Sequence, residues 1–276
     1  MWDIEKAVKA VPVMEQYLQG VLEKEQLWEN SFIKLQLCRR KQGEQFTLED
    51  HIRAMVYSML TSQTAWRNIS KDIDPANKRL IYVDEVFFQY DPDTLLSSEP
   101  QDLVCGLCRH KYGGQSRKAQ MEALVKINIP KLIRFEEKAK SVDEYYHQIK
   151  RDGGGIQALV KSLSDKNSPN KLAQMGEALV TEYLRNVGYD LAKPDRHICR
   201  ILGSDYLGCS NKQPVPPYKA MDIVAAIANE LGKDWPQQRV DYTLWAYCAK
   251  GYGEICETKS PKCTKCTIRT ECRYNS

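Results

Sequence analysis

Apolar residues along this chain recur mostly three and four positions apart, the spacing of one helix face. After Thr47 the residues Ile52, Met55, Val56, Met59 and Leu60 follow it, and Thr47-x-x-Asp50 reads as a capping box that starts the helix. Ser98, Pro100 and Gln101 open another, carrying Leu103, Val104 and Leu107. Val224, Ile227 and Leu231 line a third, which Gly232 ends. The first 45 residues read as one or two helices containing Trp2, Leu18, Val21, Leu22 and Trp28. A further helix is expected from about Leu172 to Asn186, with a stop at Gly188. No run alternates as a strand does. Leu80-Ile81-Tyr82-Val83 fits a short strand or a buried helical turn equally well. Gly153-Gly154-Gly155 separates two helical stretches, Ser168-Pro169-Asn170 reads as a helix start, and Pro214, Pro216 and Pro217 form a stiff connector. The pattern predicts an all-α protein.

Composition narrows the class. Of 276 residues, 42% are hydrophobic and 28% charged, as in a soluble globular protein. No apolar run approaches the roughly 20 residues of a membrane-spanning helix. The start, MWDIEKAVKAV, carries charges where a signal peptide needs an apolar stretch, so an intracellular protein is expected, in the cytoplasm or nucleoid if the source is a prokaryote. The net charge of +4 permits nucleic-acid binding without demanding it. Charge is concentrated near the end, where Lys259, Lys262, Lys265, Arg269 and Arg273 are opposed by Glu271.

Ten cysteines are many for an intracellular chain of this length, where a disulfide scaffold is not expected. Four of them, Cys256, Cys263, Cys266 and Cys272, are spaced C-x6-C-x2-C-x5-C among Lys, Thr, Ser and Pro, in no apolar pattern. Four thiolates so close in sequence can surround one centre. Tetrahedral zinc is one candidate, although zinc sites more often pair two C-x2-C knuckles a dozen or more residues apart. A cubane [4Fe-4S] cluster, usually held by four thiolates, is the other. Cys105-x-x-Cys108 is a second C-x2-C in a helical stretch without the βαβ surroundings of a redox site, and core packing is expected of it. Core or incidental positions are expected for Cys38, Cys199, Cys209 and Cys248.

The cysteine spacing resembles the iron–sulfur loop of the helix-hairpin-helix DNA glycosylases, in particular the endonuclease III-like members. The resemblance extends through roughly residues 47–276. Pro194-Asp195-Arg196-His197-Ile198-Cys199-Arg200 is similar to the family's V-D-T-H-V-x-R, with Asp195 at the catalytic aspartate. Without the resemblance, Asp195 reads as an N-cap residue. Gln174-Met175-Gly176-Glu177-Ala178 stands where the hairpin G-V-G-x-K is expected, and only Gly176 remains of its two glycines. Met59-Leu60-Thr61-Ser62-Gln63-Thr64 resembles the L-L-S-x-Q-T stretch whose glutamine enters the space left by the flipped base, and Tyr112 to Ala119 resembles the loop that wedges against the opposite strand.

The resemblance implies two helical lobes flanking a DNA-binding cleft: residues 46–188 as one, and 1–45 with 189–276, bearing the cluster loop, as the other. It implies excision of a damaged or mismatched base from duplex DNA by a monomer. Asp195 is then catalytic, and Cys256, Cys263, Cys266 and Cys272 hold the [4Fe-4S] cluster. DNA contacts are expected from Ser62, Gln63, Thr64, Gln174, Gly176, His197, Arg200, Lys118, Lys262 and Lys265. Bifunctional members attack the sugar with a hairpin lysine, and Ala178 stands at that position, so a monofunctional enzyme using water is expected. A bifunctional glycosylase/lyase, a non-catalytic DNA-binding iron–sulfur protein and a zinc protein are the alternatives.

Overall fold

The computed structural model describes residues 3–62, 64 and 66–275. Its helices begin with α1 (Glu5–Val21), α2 (Phe32–Lys41), α3 (Leu48–Leu60), α4 (Trp66–Ser70), α5 (Ile81–Val86) and α6 (Pro92–Leu96). They continue with α7 (Pro100–Arg109), α8 (Arg117–Ala123), α9 (Ile129–Ala139), α10 (Val142–Asp152) and α11 (Ile156–Ser164). The last are α12 (Glu177–Asn186), α13 (Arg196–Ile201), α14 (Pro217–Leu231) and α15 (Gln237–Cys248). No strand occurs among the described residues, and Leu80–Val83 resolves as the helical turn α5. Leu124–Asn128, between α8 and α9, winds as a π-turn.

The chain forms two compact units, residues 36–189 and residues 1–35 with 190–276. Within residues 36–189, α3 packs on α12 and α9 on α10. The Thr47 capping box starts α3: Thr47 Oγ1 accepts from Asp50 N at 3.2 Å, and Asp50 Oδ2 accepts from Thr47 N at 3.3 Å. Ile52, Met55, Val56, Met59 and Leu60 are then all fully buried, as the 3.6-residue period requires. Gly188 ends α12 at φ +78, where a Cβ would stand 2.4 Å from Gln36 O. Both the turn and the close approach demand glycine. A buried polar cluster braces this unit. Asp143 accepts from Phe46 N, Arg40 Nη2 and His51 Nε2, while His51 Nδ1 pairs with Tyr183 Oη at 2.7 Å. Burial pushes the Asp143 carboxyl upward, but His51 and Arg40 outweigh it and hold the group well below the usual carboxylate range.

In the other unit α1 and α14 pack on α15, and α13 packs on α15 as well. α14 ends at Gly232, as the sequence predicts. Three expectations are corrected. α12 starts at Glu177 rather than Leu172, and Ser168-Pro169-Asn170 lies in the turn before it instead of starting a helix. Cys105 and Cys108 are exposed, not core, because α7 turns Leu103, Gly106 and Leu107 inward and leaves both thiols on the outer face.

Candidate catalytic carboxylate, cysteine loop and hairpin

Pro194 cannot continue a hydrogen-bonded turn, and Asp195 follows it as the N-cap of α13 in extended conformation. Its Oδ1 accepts from His197 N at 2.8 Å and Ile198 N at 3.1 Å. These bonds consume two of the donors a helix start leaves over. Oδ2 has no partner among the described residues, and the side chain is half-buried. The N-cap expectation is thus met, and it leaves one carboxylate oxygen for another task. Beside it, burial lowers the His197 imidazole pKa against the opposing pull of Asp195. Its Nδ1 is buried without a partner. Arg200 is buried too. Its guanidinium bonds Cys256 Sγ at 3.4 Å and Cys256 O, and lies over the Tyr206 ring.

Cys256, Cys263, Cys266 and Cys272 line one cavity of about 430 Å³, including its open mouth. Ile201, Leu207, Ile255 and Ile268 form its apolar wall. Tyr247 Oη donates toward Cys266 Sγ at 3.5 Å and accepts from Thr267 N at 3.0 Å, which ties the loop to α15. A hydrogen bond from Cys248, helped by the Arg200 charge, outweighs burial and lowers the Cys256 thiol to about 7. Among the described residues no three His, Cys, Asp or Glu side chains converge on a position for a single metal ion. Lys262 is paired with Glu254 at 3.2 Å and Glu257 at 3.6 Å, whereas Lys265 is exposed.

In residues 36–189 the segment before α12 is a tight turn. Gln174 takes φ +58, and Gly176 is the N-cap in extended conformation. Gln174 thus fills the left-handed place where the hairpin pattern has its first glycine, and Ala178 falls in the first turn of α12. Both Gln174 and Gly176 are exposed. Ser62 and Thr64 are half-buried, Lys118 is exposed, and Gln63 lies outside the described residues.

The sequence reading missed Arg117 as a structural residue. It is 1% exposed and donates to Met59 O, Leu60 O, Tyr112 O, Gln120 Oε1 and Thr64 Oγ1 at 2.6–3.1 Å. One guanidinium therefore satisfies the carbonyls at the end of α3 and fixes the start of the segment containing Ser62 and Thr64. Only its place in a basic stretch marked it.

No protein-family model matches the chain, and no curated protein matches it in sequence. A solved structure does match. The 8-oxoguanine glycosylase/lyase of Methanocaldococcus jannaschii, in complex with a 15mer DNA containing 8-oxoguanine, superposes with a TM-score of 0.51. Identity is 16%, over 84% of this chain and 95% of that one. The chain therefore shares the all-helical fold of that structure. Among the described residues no helix is long and apolar enough to cross a membrane.

Proposed function

We propose that this chain is a DNA N-glycosylase that extrudes a damaged or mismatched base from duplex DNA and hydrolyses its glycosidic bond. The observation that carries the reading is Asp195: in a chain with a glycosylase fold, its carboxylate is fixed through one oxygen and open at the other. Breaking the bond builds positive charge on the sugar. A preorganised carboxylate stabilises that charge and orients an attacking water. The base must leave the stack first, because its bond is shielded inside the duplex. In this reading Ser62, Gln63 and Thr64 act where the base leaves, and the exposed turn at Gln174 and Gly176 contacts the DNA backbone. Lys118 and Lys265, both exposed, each offer a positive charge to DNA phosphates. His197 orders the start of α13 beside the carboxylate.

The cysteine loop fits a [4Fe-4S] cluster. Four cysteines line one largely apolar pocket, and their C-x6-C-x2-C-x5-C spacing supports a cubane over zinc, which more often uses two separated C-x2-C knuckles. The cluster, when bound, contributes structure by tying Cys256 to Cys272; base removal belongs to Asp195. Iron and sulfide analysis with the visible spectrum of anaerobically purified protein tests this, and stoichiometric zinc without iron would refute it.

A panel of duplexes, each carrying one lesion and beginning with 8-oxoguanine, tests the activity. Release of free base supports the enzyme, whereas binding without release on every duplex supports the non-catalytic alternative. With Ala178 in the first turn of α12, water is the nucleophile and the abasic strand stays intact. One observation favours a bifunctional reading: the solved neighbour is a glycosylase/lyase, and Lys171 lies at the hairpin with its pKa lowered by burial. Borohydride trapping during turnover separates the two. A covalent protein–DNA adduct lost in Lys171→Ala would establish the lyase.

A further inference from the structure

The turn proposed to meet the DNA backbone lacks a glycine that such turns use. Gln174 stands at φ +58, a region that costs any residue with a Cβ. Something else must hold the turn in shape. The neighbouring π-turn supplies the first part. Asn128, fully buried at its end, grips the Ala173 peptide from both sides, with Nδ2 donating to Ala173 O at 3.0 Å and Oδ1 accepting from Ala173 N at 2.8 Å. This is the residue just before Gln174. The extra residue per turn of a π segment changes which side chains face a neighbour, and such segments often lie at functional sites.

The second part comes from the same side of α9. Lys131 Nζ donates to Pro169 O at 3.1 Å and to Lys171 O at 2.7 Å, and Lys171 Nζ donates in turn to Met175 O. Burial lowers the pKa of both lysines. Leu172 and Met175, both fully buried, anchor the turn below. The carbonyls of Pro169, Lys171, Ala173 and Met175 thus end on ammonium groups and a carboxamide rather than on helix or strand partners.

We propose that Asn128 and Lys131 are positioning residues, which hold the glycine-poor turn so that the backbone N–H groups of Gly176, Glu177 and Ala178 face a DNA phosphate. The proposal rests on the DNA-contacting role assigned to this turn above. It replaces a local solution, two glycines, by a tertiary one built from residues some 45 positions away in sequence.

The test is a rescue experiment on duplex DNA containing a tetrahydrofuran abasic analogue, with affinity read by fluorescence anisotropy at fixed salt. Asn128→Ala should weaken binding about tenfold, the usual scale for stripping a buried peptide of its partners. Gln174→Gly added to it should recover most of the loss, because glycine adopts the left-handed conformation without a clamp. Gln174→Gly alone gives the reference affinity against which that recovery is measured. Lys131→Met, whose side chain is half-exposed, should show a smaller loss with the same rescue, and it serves if Asn128→Ala does not fold. Loss without rescue in either background, or no loss in both, overturns the proposal.

Gly176→Asp separates this from failure of the underlying reading. A Cβ there meets nothing within 4 Å, and Asp is a good N-cap, so the fold is retained while the carboxylate repels a phosphate. If Gly176→Asp loses affinity but the clamp variants do not, the positioning role falls and the DNA contact stands. If Gly176→Asp binds normally, the turn does not face DNA, and the clamp's role falls with it.

Discussion

Between Cys256 and Cys272 the chain has a single turn of 3-10 helix, Cys263–Lys265, and its four half-buried cysteines line one pocket. Between Asp165 and Gly176, in the other unit, there is no helix either, but the carbonyls of Pro169, Lys171, Ala173 and Met175 are met by buried or half-buried side chains. The two segments are of similar length and irregularity. In the proposed reading the first is held by a bound cluster, whereas the second is held by its own protein neighbours. A loop of the first kind concentrates its information in a few ligand positions, and their spacing survives as a readable signature. A loop of the second kind can lose its signature residues, because distant side chains take over their work.

The largest effect that tests this contrast is removal of a ligand. Cys266→Ser should lose iron and sulfide, and hydrogen exchange across residues 255–275 should rise toward that of an unfolded segment, while peptides from residues 36–189 keep their protection. Retained protection in an iron-free Cys266→Ser protein would show that the loop stands without a cluster and would erase the difference between the segments.

Asp143→Asn probes the opposite kind of support. The substitution leaves His51, Arg40 and Phe46 N facing a neutral amide inside the core of residues 36–189. Breaking one side of such a buried arrangement typically costs about 3–5 kcal/mol. Urea unfolding followed on peptides of this unit should register that loss at pH 7, with iron content unchanged. The pH dependence has a definite sign. Because the folded-state pKa of Asp143 is depressed, its stabilisation is complete above the unfolded value of about 3.9 and disappears as pH falls from there through the folded value. The gap between wild type and Asp143→Asn should therefore narrow below about pH 4. A gap that widened in acid would contradict the assigned charge state.

Asp195→Asn should leave both kinds of support intact, since asparagine caps a helix about as well as aspartate. Base release on a proven substrate should fall by a factor on the order of 100, the scale of losing one electrostatic group from a transition state. Unchanged melting and unchanged DNA affinity are expected alongside. Near wild-type turnover would reduce Asp195 to its capping role.

Legibility in the sequence follows the same division. The four cysteines stand out because they lie within one stretch, and the N-cap at Asp195 was legible because a Pro-Asp pair before an apolar run is itself a helix-start signal. The helical class was legible from periodicity, and α3 appears with its capping box as expected. The turn before α12 was less legible: the expected helix start at Leu172 erred by five residues, since Gln174 is left-handed, Gly176 is extended and Ala173 N bonds Asn128 Oδ1. Arg117 and Asn128 bond backbone groups 45 or more residues away, and backbone groups carry no sequence identity. Cys105 and Cys108 were misplaced because an apolar stretch does not say which of its faces turns inward.

The smallest effect concerns the exposed start of α3. Thr47→Ala removes the Oγ1 acceptor from Asp50 N but leaves the reciprocal bond from Thr47 N to Asp50 in place. Losing such a cap costs about 1 kcal/mol, and Thr47→Ser should cost close to nothing. The far end of α3 does not depend on this cap, because Arg117 holds the carbonyls of Met59 and Leu60. Thr47→Ala should therefore lower the stability of residues 36–189 slightly without changing DNA affinity or base release. Arg117→Met, which strips several buried carbonyls at once, should alter both. If Thr47→Ala impaired base release as strongly as Arg117→Met, the two ends of α3 would be coupled through the helix, and side-chain clamps would not be what separates a held segment from a loose one.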